Sequence, residues 1–368
     1  MKVVLDTNII IPDIYMALPN FAVILASAKE GDIELHIPEI VLDEVLNKFR
    51  QRVEKSQKGI SGEMAKFSKL VRAEYESPIT SELVNEVCQE HETHLRKVIA
   101  DNKIVITPYP NTPHKFLAQK AMLAKKPFNI NEKGYRDNLI WENIKSFISG
   151  EDTEIASSPE VIFVTANHKD FMADENELHH DLIIELESQD LKTETVVMYT
   201  ELKDFNDKVT KLFFEQASTL EGKLKNDEFW DFKLKETIDA YLFKEVAGHG
   251  LGNYREYVPA ANDRPIVESI DDTYIIDNIS VKKLSADQYL VDVAFDLDME
   301  VGFYVDKSEY YRSESEDYYV IDFDWNDHVI HASQSIKIAM SISLVINSNL
   351  GCKSIQINNL GDSYSDYY

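Results

Sequence analysis

Over the first two hundred residues, short apolar β-branched runs alternate with longer stretches whose apolar residues recur every three or four positions. The first pattern marks buried strands and the second amphipathic helices. Val3-Val4-Leu5 reads as a strand ending at Asp6, and residues 19–30 as a helix closed by Gly31. Ile33 to Ile37 is a second strand. Pro38 then opens a long helix with Ile40, Val41, Val45, Leu46 and Phe49 along one side. Highly charged helical patterns follow at 61–76 and 80–102, then a third strand from Lys103 to Ile106 and a Pro-broken loop from Thr107 to Pro113. Helices are expected at about 114–125 and 135–149, a fourth strand at Val161 to Val164 and a fifth at Glu194 to Met198. This alternation predicts an α/β fold over residues 1–200, a three-layer α/β/α arrangement around a parallel central sheet.

The pattern changes further along. Residues 201–247 read as a helical extension, with Leu202, Phe205, Val209, Leu212 and Phe213 at helical spacing. Residues 248–264, rich in Gly, Pro and Asn, read as a linker. Period-two runs then begin, at Tyr274–Ile276, Tyr289–Phe295, Tyr318–Phe323 and Ile336–Ile346, and predict a β-rich antiparallel domain over 265–368. The polar tail from Asp362 to Tyr368 is expected to fray.

Composition narrows the class. With 368 residues, 44% of them hydrophobic and 28% charged, the chain can build packed cores. No apolar run reaches the roughly 18 residues that span a membrane. The N-terminus lacks the unbroken apolar stretch and small-residue cleavage site of a signal peptide. Cys88 and Cys352 are too few and too distant for a disulfide framework, which fits a reducing cytoplasm, and both read as packing residues. The expectation is a cytoplasmic protein with no membrane segment. Net charge is −27, yet residues 1–150 hold 20 basic and 20 acidic side chains, so the whole excess lies beyond them. Such a chain does not grip nucleic acid through its overall field, but the neutral half leaves room for a local basic groove.

Open α/β sheets form their sites at the carboxyl ends of strands. Strand one ends in Asp6-Thr7-Asn8, and strand four in Thr165-Ala166-Asn167-His168-Lys169-Asp170. The helix after strand two carries Asp43 and Glu44, and the helix before strand four begins Gly134-Tyr135-Arg136-Asp137. Carboxylates brought together in one cleft repel, and each would hold its proton more tightly unless a cation joined them. A hard divalent ion with oxygen ligands resolves that conflict.

These segments resemble the motifs of PIN domain nucleases. The strand followed by Asp-Thr-Asn is similar to the opening of that family, and Ile37-Pro38-Glu39-Ile40-Val41-Leu42-Asp43-Glu44-Val45 is similar to its second acidic element. The run from Lys133 to Trp141 and the run from Phe163 to Phe171 resemble the third and fourth motifs of a long PIN-like subfamily, here with an extra C-terminal region. The resemblance covers about residues 1–200, with all four elements in order. It implies a metal-dependent endoribonuclease that hydrolyses single-stranded RNA, with two divalent metal ions, Mg²⁺ or Mn²⁺, activating water and stabilising the leaving oxygen. The products would carry a 5′-phosphate and a 3′-hydroxyl. Carried over, the metal-holding and catalytic acids fall on Asp6, Glu44, Asp137 and Asp170, with Asn167 an alternative for the fourth place. Thr7, Asn8, Thr165 and Asn167 become positioning groups.

Lys115, Lys120, Lys125, Lys126, Lys133 and Arg136, interleaved with Phe128, Tyr135 and Trp141, suit a single strand, phosphates on cations and bases on rings. Lys126, Lys133, Arg136 and Tyr135 are therefore expected to touch substrate. His91 and His94 read as a wet helix face, His168 as a solvent-facing loop residue, His249 as part of the linker and Trp141 as a core anchor. Two rivals remain in view. A haloacid-dehalogenase-type phosphatase also begins with a strand and an Asp, but it needs a second Asp where this chain has Asn8. A non-catalytic RNA- or protein-binding module on a PIN-like fold would leave four costly carboxylates without a task. For the acidic C-terminal region three readings stand: it docks a protein partner, it covers the basic groove as an autoinhibitory RNA mimic, or its charge keeps the chain soluble. A homo-oligomer is open.

Overall fold

The apolar N-terminal run forms β1 (Lys2–Leu5), whose Val3, Val4 and Leu5 are fully buried in a computed structural model of the chain. Residues 1–131, 133–148, 159–173, 177–226, 234–252, 254–311 and 318–360 are described. Two units, Met1–Phe213 and Phe214–Tyr368, each fold around their own core.

In the first unit β1 leads into α1 (Thr7–Ile10) and α2 (Pro19–Glu30), which starts on a proline and closes at Gly31 in the left-handed conformation. Then come β2 (Glu34–Pro38), α3 (Glu39–Val71), α4 (Ser81–Asp101), β3 (Val105–Thr107), α5 (His114–Met122), α6 (Tyr135–Lys145), β4 (Val161–Val164), α7 (His168–Phe171), α8 (His180–Glu187), β5 (Val196–Tyr199) and α9 (Leu202–Lys208). The five strands are parallel in the order β3-β2-β1-β4-β5, flanked by helices as an α/β/α fold requires. Chain order reverses at β1: β2 and β3 extend to one side, β4 and β5 to the other. A crevice forms at such a switch point, outside the carboxyl ends of β1 and β4.

Three features differ from the sequence reading. The helix expected separately at 61–76 is the continuation of α3, which runs unbroken for 33 residues. Gly59 and Gly62 cost it stability, but no proline interrupts it. Only its first three turns are buried, through Ile40, Val41, Leu42, Val45 and Phe49. His91 lies in the core rather than on a wet face. It stacks on Phe49 with ring centroids 3.8 Å apart and donates from Nε2 to the Ile14 carbonyl at 3.0 Å. Lys120, expected to face substrate, is buried with Lys145 around Glu185, which also accepts from Trp141 Nε1 at 3.2 Å. This ion cluster ties α5, α6 and α8 together.

The second unit begins with α10 (Ser218–Lys225) and α11 (Leu234–Glu245). Its sheet contains β6 (Ile266–Ile270), β7 (Asn278–Lys283), β8 (Gln288–Asp306), then after α12 (Lys307–Tyr310) β9 (Tyr319–Asp322), β10 (Val329–Asn347) and β11 (Cys352–Leu360). All pairings are antiparallel, along the path β11-β10-β8-β6, with β7 on β8 and β9 on β10. In β8 the period of two is strict: Val291, Val293, Phe295, Leu297, Met299 and Val301 face the core, while Asp296 and Asp298 face water. Leu224, Leu234, Ile238 and Leu242 of the two helices share that core.

The chain therefore divides after Phe213, not in the Gly/Pro-rich stretch. Residues 202–213 belong to the first unit and the helices after them to the second. In the stretch expected to be a linker, Leu251 and Val258 are fully buried, and Gly248 and Leu251 donate to the carbonyls of Val267 and Pro265. Glycine and proline mark turns there, and turns can be packed. Tyr274 was expected in a strand. It is instead a buried side chain stacked on Phe295 and donating to Asp239, ahead of β7. Strands β6, β7 and β11 were not anticipated. Both cysteines are free, and Cys352 is an exposed residue rather than a core one. The polar tail lies outside the described residues, and the helix expected to reach 149 ends at Lys145, followed by a turn through Ser146 to Ile148.

Removing Glu185 would take from buried Lys120 its ion-pair partner and leave Lys145 with Glu142 alone. Glu185→Ala should destabilise the chain by about 3–5 kcal/mol, the usual cost of orphaning buried charge. Urea denaturation followed by circular dichroism measures this, and an unchanged midpoint would show that the cluster is no structural tie.

Candidate active site

Asp6 stands where β1 stops. Its backbone still follows the strand, while its side chain caps α1 by accepting from the Thr7 amide at 2.6 Å. Its other oxygen accepts from Asn8 Nδ2 at 2.8 Å and from Thr165 Oγ1 at 2.6 Å. Thr165 follows β4 directly, so this last bond crosses the switch point. Asn8 closes the arrangement by accepting from the Ala166 amide at 2.9 Å. All these donors are neutral. Asp6 is 4% exposed, and burial pushes its pKa up to about 6, with the charge of Asp137 adding to the rise and the hydrogen bonds opposing it.

Asp137 lies in the first turn of α6 and accepts from Asn167 Nδ2 at 3.1 Å. Burial raises its pKa as well, and the charge of Asp170 acts in the same direction. Glu44, on the second turn of α3, accepts from Thr7 Oγ1 at 3.1 Å and pairs with Arg136. Asp170 pairs with Lys126 at 3.0 Å, and the same ammonium donates to the Lys169 carbonyl at 2.8 Å. The four acids thus form a chain rather than a ring. Glu44 reaches Asp6 through Thr7, the charge of Asp137 acts on Asp6, and that of Asp170 acts on Asp137. Asn167 touches Asp137 directly, whereas Asp170 is engaged by a lysine.

Among the described residues no three His, Cys, Asp or Glu side chains are grouped closely enough to hold a metal ion between them. The donor chemistry nevertheless fits a hard cation at one pair. Asp6 and Asp137 repel each other, and neither forms an ion pair with Lys or Arg among the described residues, while Glu44 and Asp170 each have one. Magnesium is ordinarily held by one or two carboxylates, with water and phosphate supplying the rest, so a pair suffices where a closed cage is absent.

Beside Glu44 a cleft of about 650 Å³ is lined by Asp43, Asn47, Tyr109, His114, Tyr135 and Arg136. Tyr135 and Arg136 stand there as expected. Asn47, Tyr109 and His114 were missed, although Tyr109 sits in the loop after β3, at a strand's carboxyl end like the others. Tyr109 donates to Asp43 at 2.8 Å. Lys133 is exposed on a turn whose amide donates to Asn129 Oδ1, and it does not line the cleft. Lys126 lies at Asp170. Phe128 and Trp141 are buried and offer no stacking face. His168 is exposed, as expected.

Residues 3–171 match the family model described as a PIN domain, which supports a PIN-like domain over this part of the chain. PIN domains are in general nucleases and usually use divalent metals. The match spans β1 to α7 and takes in all four acids. No curated protein and no solved structure gives a match. No helix among the described residues is long and apolar enough to cross a membrane.

The burial of Asp6 has a pH signature. A folded pKa of about 6 against an ordinary 3.8 means that the folded chain binds this proton more tightly than the unfolded chain. That contribution is present below about pH 4, fades as pH rises to about 6, and then stays lost, a change of at most about 3 kcal/mol. In EDTA, the stability of the wild type relative to Asp6→Asn should therefore fall across this window. Urea midpoints read against pH test it, and a difference that rises instead would refute the assignment.

Proposed function

We propose that this protein is a divalent-metal-dependent endoribonuclease that hydrolyses single-stranded RNA, with Mg²⁺ or Mn²⁺ held chiefly by Asp6 and Asp137. The observation that carries this reading is the pair itself: two carboxylates at the switch point of a PIN domain, raised in pKa, the charge of one acting on the other, and each held by neutral donors. When bound, the ion supplies an activated water and charge stabilisation on the phosphoryl oxygens. The chain does the positioning. Thr165 and Asn8 fix the rotamer of Asp6, and Asn167 fixes that of Asp137. Arg136 can exchange Glu44 for a phosphate, a partner its planar fork suits, which would free Glu44 to join the site. Tyr135 offers an exposed ring to a base, and Lys126 and Lys133 offer charge to the backbone.

A second reading, a non-catalytic RNA-binding module, draws on one observation: Glu44 and Asp170 already have cationic partners, and no three-acid group exists among the described residues. The acidic second unit fits a protein partner of opposite charge, for which the outward Asp296 and Asp298 of β8 are suited.

Cleavage of matched single-stranded RNA and DNA, each with Mg²⁺, Mn²⁺ or EDTA, separates the readings. RNA should be cut only with metal, and Asp6→Asn or Asp137→Asn should slow cutting at least about 100-fold. Metal-independent RNA binding without cleavage by the wild type would favour the binding module instead.

A further inference from the structure

Helix α3 does not end where its buried face ends. After Phe49 it continues for six turns to Val71, and the residues on one side follow a rule. Positions 44, 48, 51, 55, 58, 62, 66 and 69 are spaced three or four apart, and at 3.6 residues per turn they fall within an arc of about 80°. They are Glu44, Lys48, Gln51, Lys55, Lys58, Gly62, Lys66 and Lys69. Beyond Glu44 every one is exposed and the arc holds no acid. Lys66 pairs with Glu63 at 2.7 Å. Lys48, Lys55, Lys58 and Lys69 have no acid within ion-pair distance among the described residues. The opposite side of the helix carries Val53, Ile60, Phe67 and Val71, so the lysines are segregated from the apolar face rather than scattered.

Gly62 sharpens the picture. An exposed glycine inside a helix costs about 1 kcal/mol against alanine. Nothing lies within 4 Å of the Cβ it lacks, so packing within the chain does not require it. It leaves a flat place in the middle of the lysine row, where a ligand backbone can come close.

We propose that this row is a rail for the phosphate backbone of single-stranded RNA, leading to the candidate active site at Glu44. The reading rests on the proposed function for what happens at the end of the rail, but the rail itself is a binding claim. From Glu44 to Lys69 the helix rises ~37 Å, enough for several nucleotides. Lysine is a point charge that tolerates any base sequence, so the rail favours long strands over short ones without reading them. It also explains how a chain of net charge −27 can hold RNA: the contact is made by a local row on the neutral half.

The test uses the full chain with Lys55→Glu, Lys58→Glu and Lys69→Glu combined, substitutions that keep helix propensity. Binding to fluorescent RNA of about 6 and about 30 nucleotides is measured by anisotropy in EDTA over a salt series, with circular dichroism to confirm the fold. The long RNA should bind at least about tenfold more weakly, and its salt slope should drop by about 2, while the short RNA changes less than about twofold. Unchanged long-RNA binding overturns the rail. So does an equal loss on both lengths, which would place the charges at the site itself. Binding of the row to an acidic protein but not to RNA in the wild type would also overturn it. Lysine-dependent binding without metal-dependent cleavage would sink the nuclease reading and leave the rail standing.

Discussion

One buried carboxylate joins the elements that build the candidate site of the first unit. Asp6 must end β1, cap α1 and accept a hydrogen bond from Thr165 across the point where the sheet reverses. Each bond makes burial of the charge less costly, yet none is from a cation, so the group keeps a raised proton affinity. The geometry of the two strand ends is thereby locked around a group that gains from meeting positive charge.

The neighbouring acids are handled differently. Glu44 and Asp170 are balanced by Arg136 and Lys126, whereas Asp137 is steadied by an amide, Asn167. The result is a graded site, with a pair that makes no ion-pair contact among the described residues at its centre and ion-paired acids on either side. Under the proposed function, an incoming phosphate strand would have cations to take over, and a metal ion would have carboxylates to join.

Charge is organised by surface rather than by total. The long exposed half of α3 collects lysines on one arc, while β8 of the second unit alternates apolar residues inward with aspartates outward. A net charge of −27 conceals both. The helix and the strand each separate charged from apolar positions by their own repeat, 3.6 and 2 residues, so each presents one sign on one face.

Much of this was legible in the sequence. The alternation of β-branched runs and helical periods specifies a parallel α/β sheet, because each local pattern has only one way to bury its apolar side. Asp6, Glu44, Asp137 and Asp170, with Asn167 an alternative for the last, could be picked out as candidates because strand ends and helix starts are where such sheets carry polar groups. Tertiary structure alone decided the rest. That Lys120 is a buried partner of Glu185, that His91 stacks on Phe49, and that Leu251 and Val258 belong to a core depend on neighbours far away in the chain. So does the difference between four acids in a ring and four in a chain. A linear pattern records which side of an element is apolar, but only packing determines what stands opposite a charge and hence whether that charge is balanced.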